Sequence, residues 1–444
     1  MPSRLRRLNE QLRRRGLWGY AGALGTRGFE TLCKFGLYLM VALRLGAEGA
    51  GLFFLCLTWV NLLAVAARMG LDRAVSRQVA AGLAMGQSAE AGRALRDSLL
   101  WTAVGGLLAT AATAMLAGTA ARLLFGLEAL AWPLGLAALM LLPQCLVFTI
   151  AGALIGLNRG VAAQAASNAW PPALPLLALV LGVDRLDQLL LLQALSYALC
   201  CAWAAAMLRQ SWRARPAQPP ATTAGVRDGL WTTARPLLVI DLVQVGLLSL
   251  PVLLLGVFAS AADVSRFSIA HRLTMLVNTM LVSIAQVSAG AFARHHSRGE
   301  FAALRRVERQ ARLLGLLACA PVVVIMLVFP ASLLGLMGEG FAVAAPALLV
   351  LALAQLVNVA LPTQDMMLTM TGHGALLRRL NLWQFAACLA LGVVLVPLFG
   401  LMGAAVLSAL GLVFGRISFA IAVRRVLPEL RTPAQPVAAE GRRA

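Results

Sequence analysis

The sequence predicts an all-α integral membrane protein with twelve transmembrane helices in two six-helix halves. Three observations predict it. Of the 444 residues 60% are hydrophobic and only 13% charged, with a mean hydropathy of +0.82, far from the balance of a water-soluble chain. Twelve apolar runs each reach the roughly 20 residues that a bilayer core of about 30 Å requires. The basic residues then fall almost wholly on one side of the spans so counted.

The runs lie near 17–43, 50–68, 98–120, 130–155, 163–183, 187–208, 230–257, 264–290, 313–337, 343–370, 377–398 and 401–423. With both termini on the cytoplasmic side, the cytoplasmic segments hold 29 basic residues, and Arg44, Arg122 and Arg185 are the three on the other side. Such a bias is what the positive-inside rule produces, and an error of one span would scramble it. The net charge of +20 is therefore topological, assisted by anionic lipid headgroups, and does not point to nucleic acid. Segment 1–16 carries six arginines but lacks a cleavage pattern, so it is expected to be a retained cytoplasmic tail on the first span. The seven cysteines all sit in apolar stretches without metal-site or disulfide spacing, and no metal or cofactor is expected.

The longest polar connection, 209–229, is rich in Pro, Arg and small polar residues. It separates an N-terminal six-helix region, 17–208, from a C-terminal one, 230–423, which a second cytoplasmic tail, 424–444, follows. The phrase LGAEGAGLFF at 45–54 resembles FASAADVSRF at 258–267, an offset of 213, and NRG at 158–160 faces GHG at 372–374, an offset of 214. Agreement between the two offsets is what a duplicated six-helix unit produces. Prolines 171, 172, 175, 236, 251, 321 and 330 mark bent spans, either ordinary kinks or breaks that line a cavity. Two amphipathic stretches, one following the second span and one the eighth, are expected to lie along the headgroups or to be solvated loops that set topology.

Charges within the spans are the candidates for function, because each costs about 2.5–3.5 kcal/mol to insert at mid-bilayer and so faces a cavity or a partner. In GTRGFETLCKFG, residues 25–36, Arg27, Glu30 and Lys34 share a helical face about 60° wide. Glu30 neutralises one cation only; if it takes Arg27, Lys34, the single lysine of the chain, is the surplus. The seventh span carries Arg235 and Asp241, and the eighth carries Arg266, His271, Arg272 and Asn278. Asn61 is the polar residue inside the second span. Arg416 with Asp365 is read as structural, and His271 as a satisfied core histidine before a proton relay. No Walker, HExxH or Ser-His-Asp signature accompanies them, so the chain is not expected to be an enzyme or an ATPase.

The phrases RLGAEGAGLFFL, ARMGLDRAVSRQVA, the GEGF run at 338–352 and PLFGLMGAAVLSAL at 397–410 resemble polysaccharide and O-antigen flippases. These form part of the multidrug/oligosaccharidyl-lipid/polysaccharide exporter superfamily. The resemblance implies two six-helix lobes around a central cavity that opens alternately to either side of the bacterial cell inner membrane. It implies transport of an undecaprenyl-pyrophosphate-linked oligosaccharide to the periplasmic leaflet, beside a polysaccharide polymerase and chain-length regulator, for O-antigen or exopolysaccharide. Arg27, Lys34 and Arg272 match the cations such a cavity offers a diphosphate. Glu30 and Asp241 are then expected to bind a coupling ion or pair those cations, with Asn61, Arg235, Arg266, His271 and Asn278 as further polar residues of the cavity. An ion-coupled multidrug antiporter and a lipid II flippase are the alternatives of the same fold. The lipid II flippase has a helix-2 cavity arginine, where this chain has Asn61 and, at the end of the span, Arg68.

Overall fold

The structure, a computed structural model, describes residues 17–213 and 229–427. The predicted tail 1–16, most of the linker 209–229 and the chain beyond 427 lie outside these residues. Among the described residues there is no strand. In order the helices are α1 (Leu17–Arg68), α2 (Leu71–Ala84), α3 (Ser88–Leu123), α4 (Ala131–Ala138), α5 (Leu141–Gly156) and α6 (Gly160–Gln164). A π-helical turn, Ala165–Ala169, leads to α7 (Ala173–Val180) and α8 (Leu186–Arg213). Then come α9 (Leu230–Phe258), α10 (Ala261–Ser297), α11 (Phe301–Val328), α12 (Pro330–Gly335), α13 (Ala345–Ala360), α14 (Gln364–Met370) and α15 (Gly374–Val426).

Among the described residues eight helices are long and apolar enough to cross a membrane, and α4 with α5, bent by 43°, makes a ninth crossing. Two of the eight are double. Gly46 breaks α1 at φ 67°, and Gly400 breaks α15 at φ 52°, in the left-handed region that favours glycine. The fifth pass, 160–180, is not one helix: Pro171 and Pro172 lack the N–H that would continue the ladder, and a π turn precedes them. Counted so, the described residues make the twelve passes that hydropathy predicts. Pro330 opens a separate short helix instead of bending the ninth pass, and α8 runs on to Arg213, past the predicted end of the sixth.

The chain packs as two compact units, up to Ser265 and from Arg266. In the first unit the amphipathic segment after the second pass is not a solvated loop. It is α2, whose Leu71, Ala74, Val75, Val79 and Gly82 are buried at helical spacing. Glycines of α5 permit this. A β-carbon on Gly152 would lie 2.0 Å from the Asp72 carbonyl oxygen, and one on Gly156 would lie 2.7 Å from that of Ser76. The Gly-x-x-x-Gly spacing therefore seats α2 on α5. At the other end of the unit, Gly51 faces the Ala261 carbonyl, 1.8 Å from where its β-carbon would be. Large apolar side chains such as Leu108 and Met115 point outward, as a lipid-facing surface requires.

In the second unit the amphipathic segment after the eighth pass is not an independent element either. Gly299, at φ 70°, reverses the chain within a tight turn, so the segment is the end of α10 and the start of α11, and Leu304 is fully buried in a core with Phe292, Met367 and Phe419. The two halves do repeat in their turns. Left-handed residues Gly86 and Gly299, Gly126 and Gly338, Asn158 and Gly372, and Gly182 and Gly400 stand 213, 212, 214 and 218 residues apart, each pair ending corresponding helices. Three of these pairs have no counterpart in readable sequence similarity, because a glycine alone is too common to register as a repeat.

Replacing Gly152 with alanine should push α2 off α5. We expect a loss of about 1–3 kcal/mol from overpacking, read as a lowered melting temperature of the detergent-purified protein, whereas Gly25→Ala, with nothing near its β-carbon, should melt as wild type.

Candidate functional site

Two groups of charges in the first unit meet at one cavity. On α1, Lys34 Nζ donates to Glu30 Oε1 at 2.6 Å, and the second carboxylate oxygen accepts from Gln164 Nε2 at 2.5 Å. Glu30 therefore takes Lys34, not Arg27. The i,i+4 order with the acid toward the N-terminus is the favourable one, and it decides between the two cations within reach. Arg27 is half-buried, has no ion pair among the described residues, and is the surplus cation of this face. Gln164 reaches Glu30 because α6 enters the π turn beside α1, and the same turn presents Ser167 and Asn168, whose side chains bond each other at 2.7 Å.

The second group is built by α2. Arg68, at the end of α1, is buried; its Nε donates to the Ala64 carbonyl, its guanidinium lies 4.3 Å from the Phe148 ring centre, and Nη1 stands 3.6 Å from Asp72. Arg73, the next residue along, holds Asp241 of α9 at 2.8 Å. Asp241 is 8% exposed, and the two arginines and two aspartates balance in charge, as burial demands. A cavity of about 270 Å³ joins the groups: Asp72, Arg73 and Ser76 line it from α2, and Gln164, Ser167 and Asn168 line it opposite. The two acids singled out in the sequence, Glu30 and Asp241, are thus held by neighbours that share one polar cavity.

The other candidates fall as follows. Asn61 accepts from Gln144 Nε2 at 2.7 Å, which ties the second pass to the fourth, and Arg235 is exposed near the start of α9, with no ion pair among the described residues. Arg266, His271, Arg272 and Asn278 belong to the second unit. There Arg266 donates to the Gly340 carbonyl at 2.9 Å and the His271 ring stacks on Phe267, 5.5 Å between centres. Arg272 and Asn278 are half-buried on the same helix. Asp365 and Arg416 pair at 3.2 Å and join α14 to α15, the structural role expected of them. Among the described residues no cluster of His, Cys, Asp and Glu suits a metal ion.

Sequence reasoning missed Asp72, Arg73 and Gln164. The first two lie in the phrase ARMGLDRAVSRQVA, where α2 was expected to face solvent or lipid, so its charges carried no signal. Gln164 is a neutral residue in an apolar run, and nothing local marks it as the partner of an acid on another helix.

Comparison with known proteins yields a family and a fold. The family described as polysaccharide biosynthesis protein matches residues 24–296. No curated protein matches the chain. Among solved structures, an inward-facing multidrug resistance MATE family transporter of the MOP superfamily superimposes with a TM-score of 0.72 at 17% identity, over 91% of this chain and 96% of that one. The lipid II flippase MurJ in an inward closed conformation gives 0.72 at 11% identity, over 91% and 87%. A MOP superfamily transporter from Pyrococcus furiosus, described by the reverse polarity of its binding pocket, gives 0.65 at 16% identity, over 92% and 94%. At these identities the likeness establishes the fold alone.

The Arg73–Asp241 pair bears on stability first. In a double-mutant cycle of Arg73→Ala and Asp241→Asn we expect a coupling of about 1 kcal/mol, since one partner is half exposed; additive melting shifts would show that the contact carries no energy.

Proposed function

Since this chain belongs to the polysaccharide biosynthesis protein family, we propose that it is a flippase for an undecaprenyl-pyrophosphate-linked oligosaccharide. It would move its cargo from the cytoplasmic to the periplasmic leaflet of the bacterial inner membrane by alternating access, for O-antigen or exopolysaccharide. The observation that carries this reading is the charge of the first helix: Glu30 is committed to Lys34 and Gln164, and Arg27 is left over. A diphosphate crossing hydrocarbon needs its charge compensated. Arginine offers it a planar fork and lysine a compact charge, so Arg27 and Lys34 are the diphosphate ligands of the first unit in this proposal, and Arg272 is the candidate cation of the second. A diphosphate that takes Lys34 would release Glu30 from its ion pair.

Glu30 and Asp241 then have a second use. Each is held by a residue lining the 270 Å³ cavity, so a proton or sodium ion bound there would alter both pairs and bias the chain between its inward and outward states. The same two acids favour, as a second reading, an ion-coupled multidrug antiporter of the same fold. A lipid II flippase would share the diphosphate chemistry, but the buried Arg68 near helix 2 is engaged with Asp72 and Phe148.

In a deletion strain, lipid-linked oligosaccharide should accumulate, and the wild-type gene should clear it; a strain that clears it without the gene would reject the flippase reading. At matched expression Arg27→Ala and Lys34→Ala should each deliver glycan at least about tenfold more slowly, the loss of a charge-assisted hydrogen bond worth roughly 1.5–3 kcal/mol. Transport by Asp241→Asn should lose its dependence on pH or sodium, and an unchanged dependence would remove Asp241 from coupling.

A further inference from the structure

A second concentration of charge lies wholly within the second unit. Arg305, Arg309 and Arg312 follow one another at i, i+4 and i+7, so they share one face of α11. They line a cavity of about 460 Å³, which Arg424 enters from the last turn of α15 and Gln364 from the first turn of α14. The neighbouring residues Leu304 and Val423 are buried in the same core, and this sets the two arginine-bearing helix ends side by side.

Among the described residues the one acid in the wall is already committed. Glu308 Oε1 accepts from Arg312 Nη2 at 2.5 Å and from Gln364 Nε2 at 3.1 Å. Arg312 is paired with that carboxylate, and Arg309 and Arg424, with no ion pair among the described residues, leave the shared space a surplus of positive charge. An ordinary solvated charge run spreads its arginines around a helix, whereas these converge from two helices on a concave surface. Their mutual repulsion is relieved by an anion, and the fork geometry of arginine matches phosphate oxygens. Leu361, Ala420 and Val423 make the remainder of the wall apolar, which suits a phosphate carried on an organic or lipid body. The site also lies where the apolar stretch of α11 begins.

We propose that this cavity is a phosphate-binding site, separate from the first-helix cations and independent of the cargo assigned to them. Its ligand carries a phosphate group, supplied by an anionic phospholipid headgroup or by a soluble phosphate compound.

The test uses the full-length protein in detergent, delipidated, with two probes: inorganic pyrophosphate, followed by thermophoresis, and phosphatidylglycerol against phosphatidylcholine, followed by native mass spectrometry. Wild type should bind pyrophosphate, or retain phosphatidylglycerol in preference to phosphatidylcholine, and Arg309→Ala/Arg424→Ala should do so at least about tenfold more weakly. A lipid preference without a pyrophosphate response identifies the headgroup as the source, and the reverse identifies a soluble ligand. If the double variant melts well below wild type, the exposed Arg309→Gln alone should still weaken binding about threefold. Wild type that binds neither probe, or variants that bind both as wild type does, would overturn the proposal.

Discussion

Two glycines one helical turn apart carry the first unit. Because Gly152 and Gly156 have no side chains, the backbone of α2 settles against α5 at the Asp72 and Ser76 carbonyls, a distance no other residue would permit. The polar contacts of α2 follow from that approach. It turns the apolar edge of α2 inward, places Asp72 against Arg68, and aims Arg73 at Asp241. A segment whose composition suits a surface becomes the inner wall of a cavity. In a membrane, where apolar burial does not drive helices together, such backbone approach is the main source of close packing.

The second constraint is charge compensation. Taking an ion out of water costs several kcal/mol, so each buried acid must find a cation and a hydrogen-bond donor. Asp241 has Arg73, and Glu30 has both Lys34 and Gln164. Arg27 stands outside this balance on the first helix, as Arg309 of α11 and Arg424 of α15 do among the described residues of the second unit. Positive charge left over after internal pairing is what an anionic ligand requires, and it distinguishes these two places from the neutral Asp365–Arg416 pair. The broken fifth pass has a part in this as well: its π turn and prolines bring Gln164 and Asn168 to the cavity, a use of irregular backbone that the bilayer tolerates only where protein surrounds it.

The number of passes, their bias of arginines toward one side and the presence of a charged face on the first helix were all legible in the sequence. Hydropathy, positive charge and the i,i+3 and i,i+4 spacings are local properties, and a bilayer of fixed thickness converts them directly into helices. The repeat was legible in two short phrases, and the left-handed turns recur more widely than those phrases do.

Tertiary structure alone decided which charges meet. Glu30 is joined to Gln164 across 134 residues, and Asp241 to an arginine on a different helix, so neither bond leaves a trace in the spacing of its own segment. Even the local choice between Arg27 and Lys34 was open until the helix geometry selected the i,i+4 partner. The amphipathic segments show the same limit. Their pattern is compatible with water, lipid or protein, and what faces each of them is settled by a glycine contact in one case and a tight glycine turn in the other. Sequence determines how much apolar surface and charge a helix carries, because those are properties of its own residues. The partner that satisfies them is chosen by packing, because it depends on atoms elsewhere in the chain.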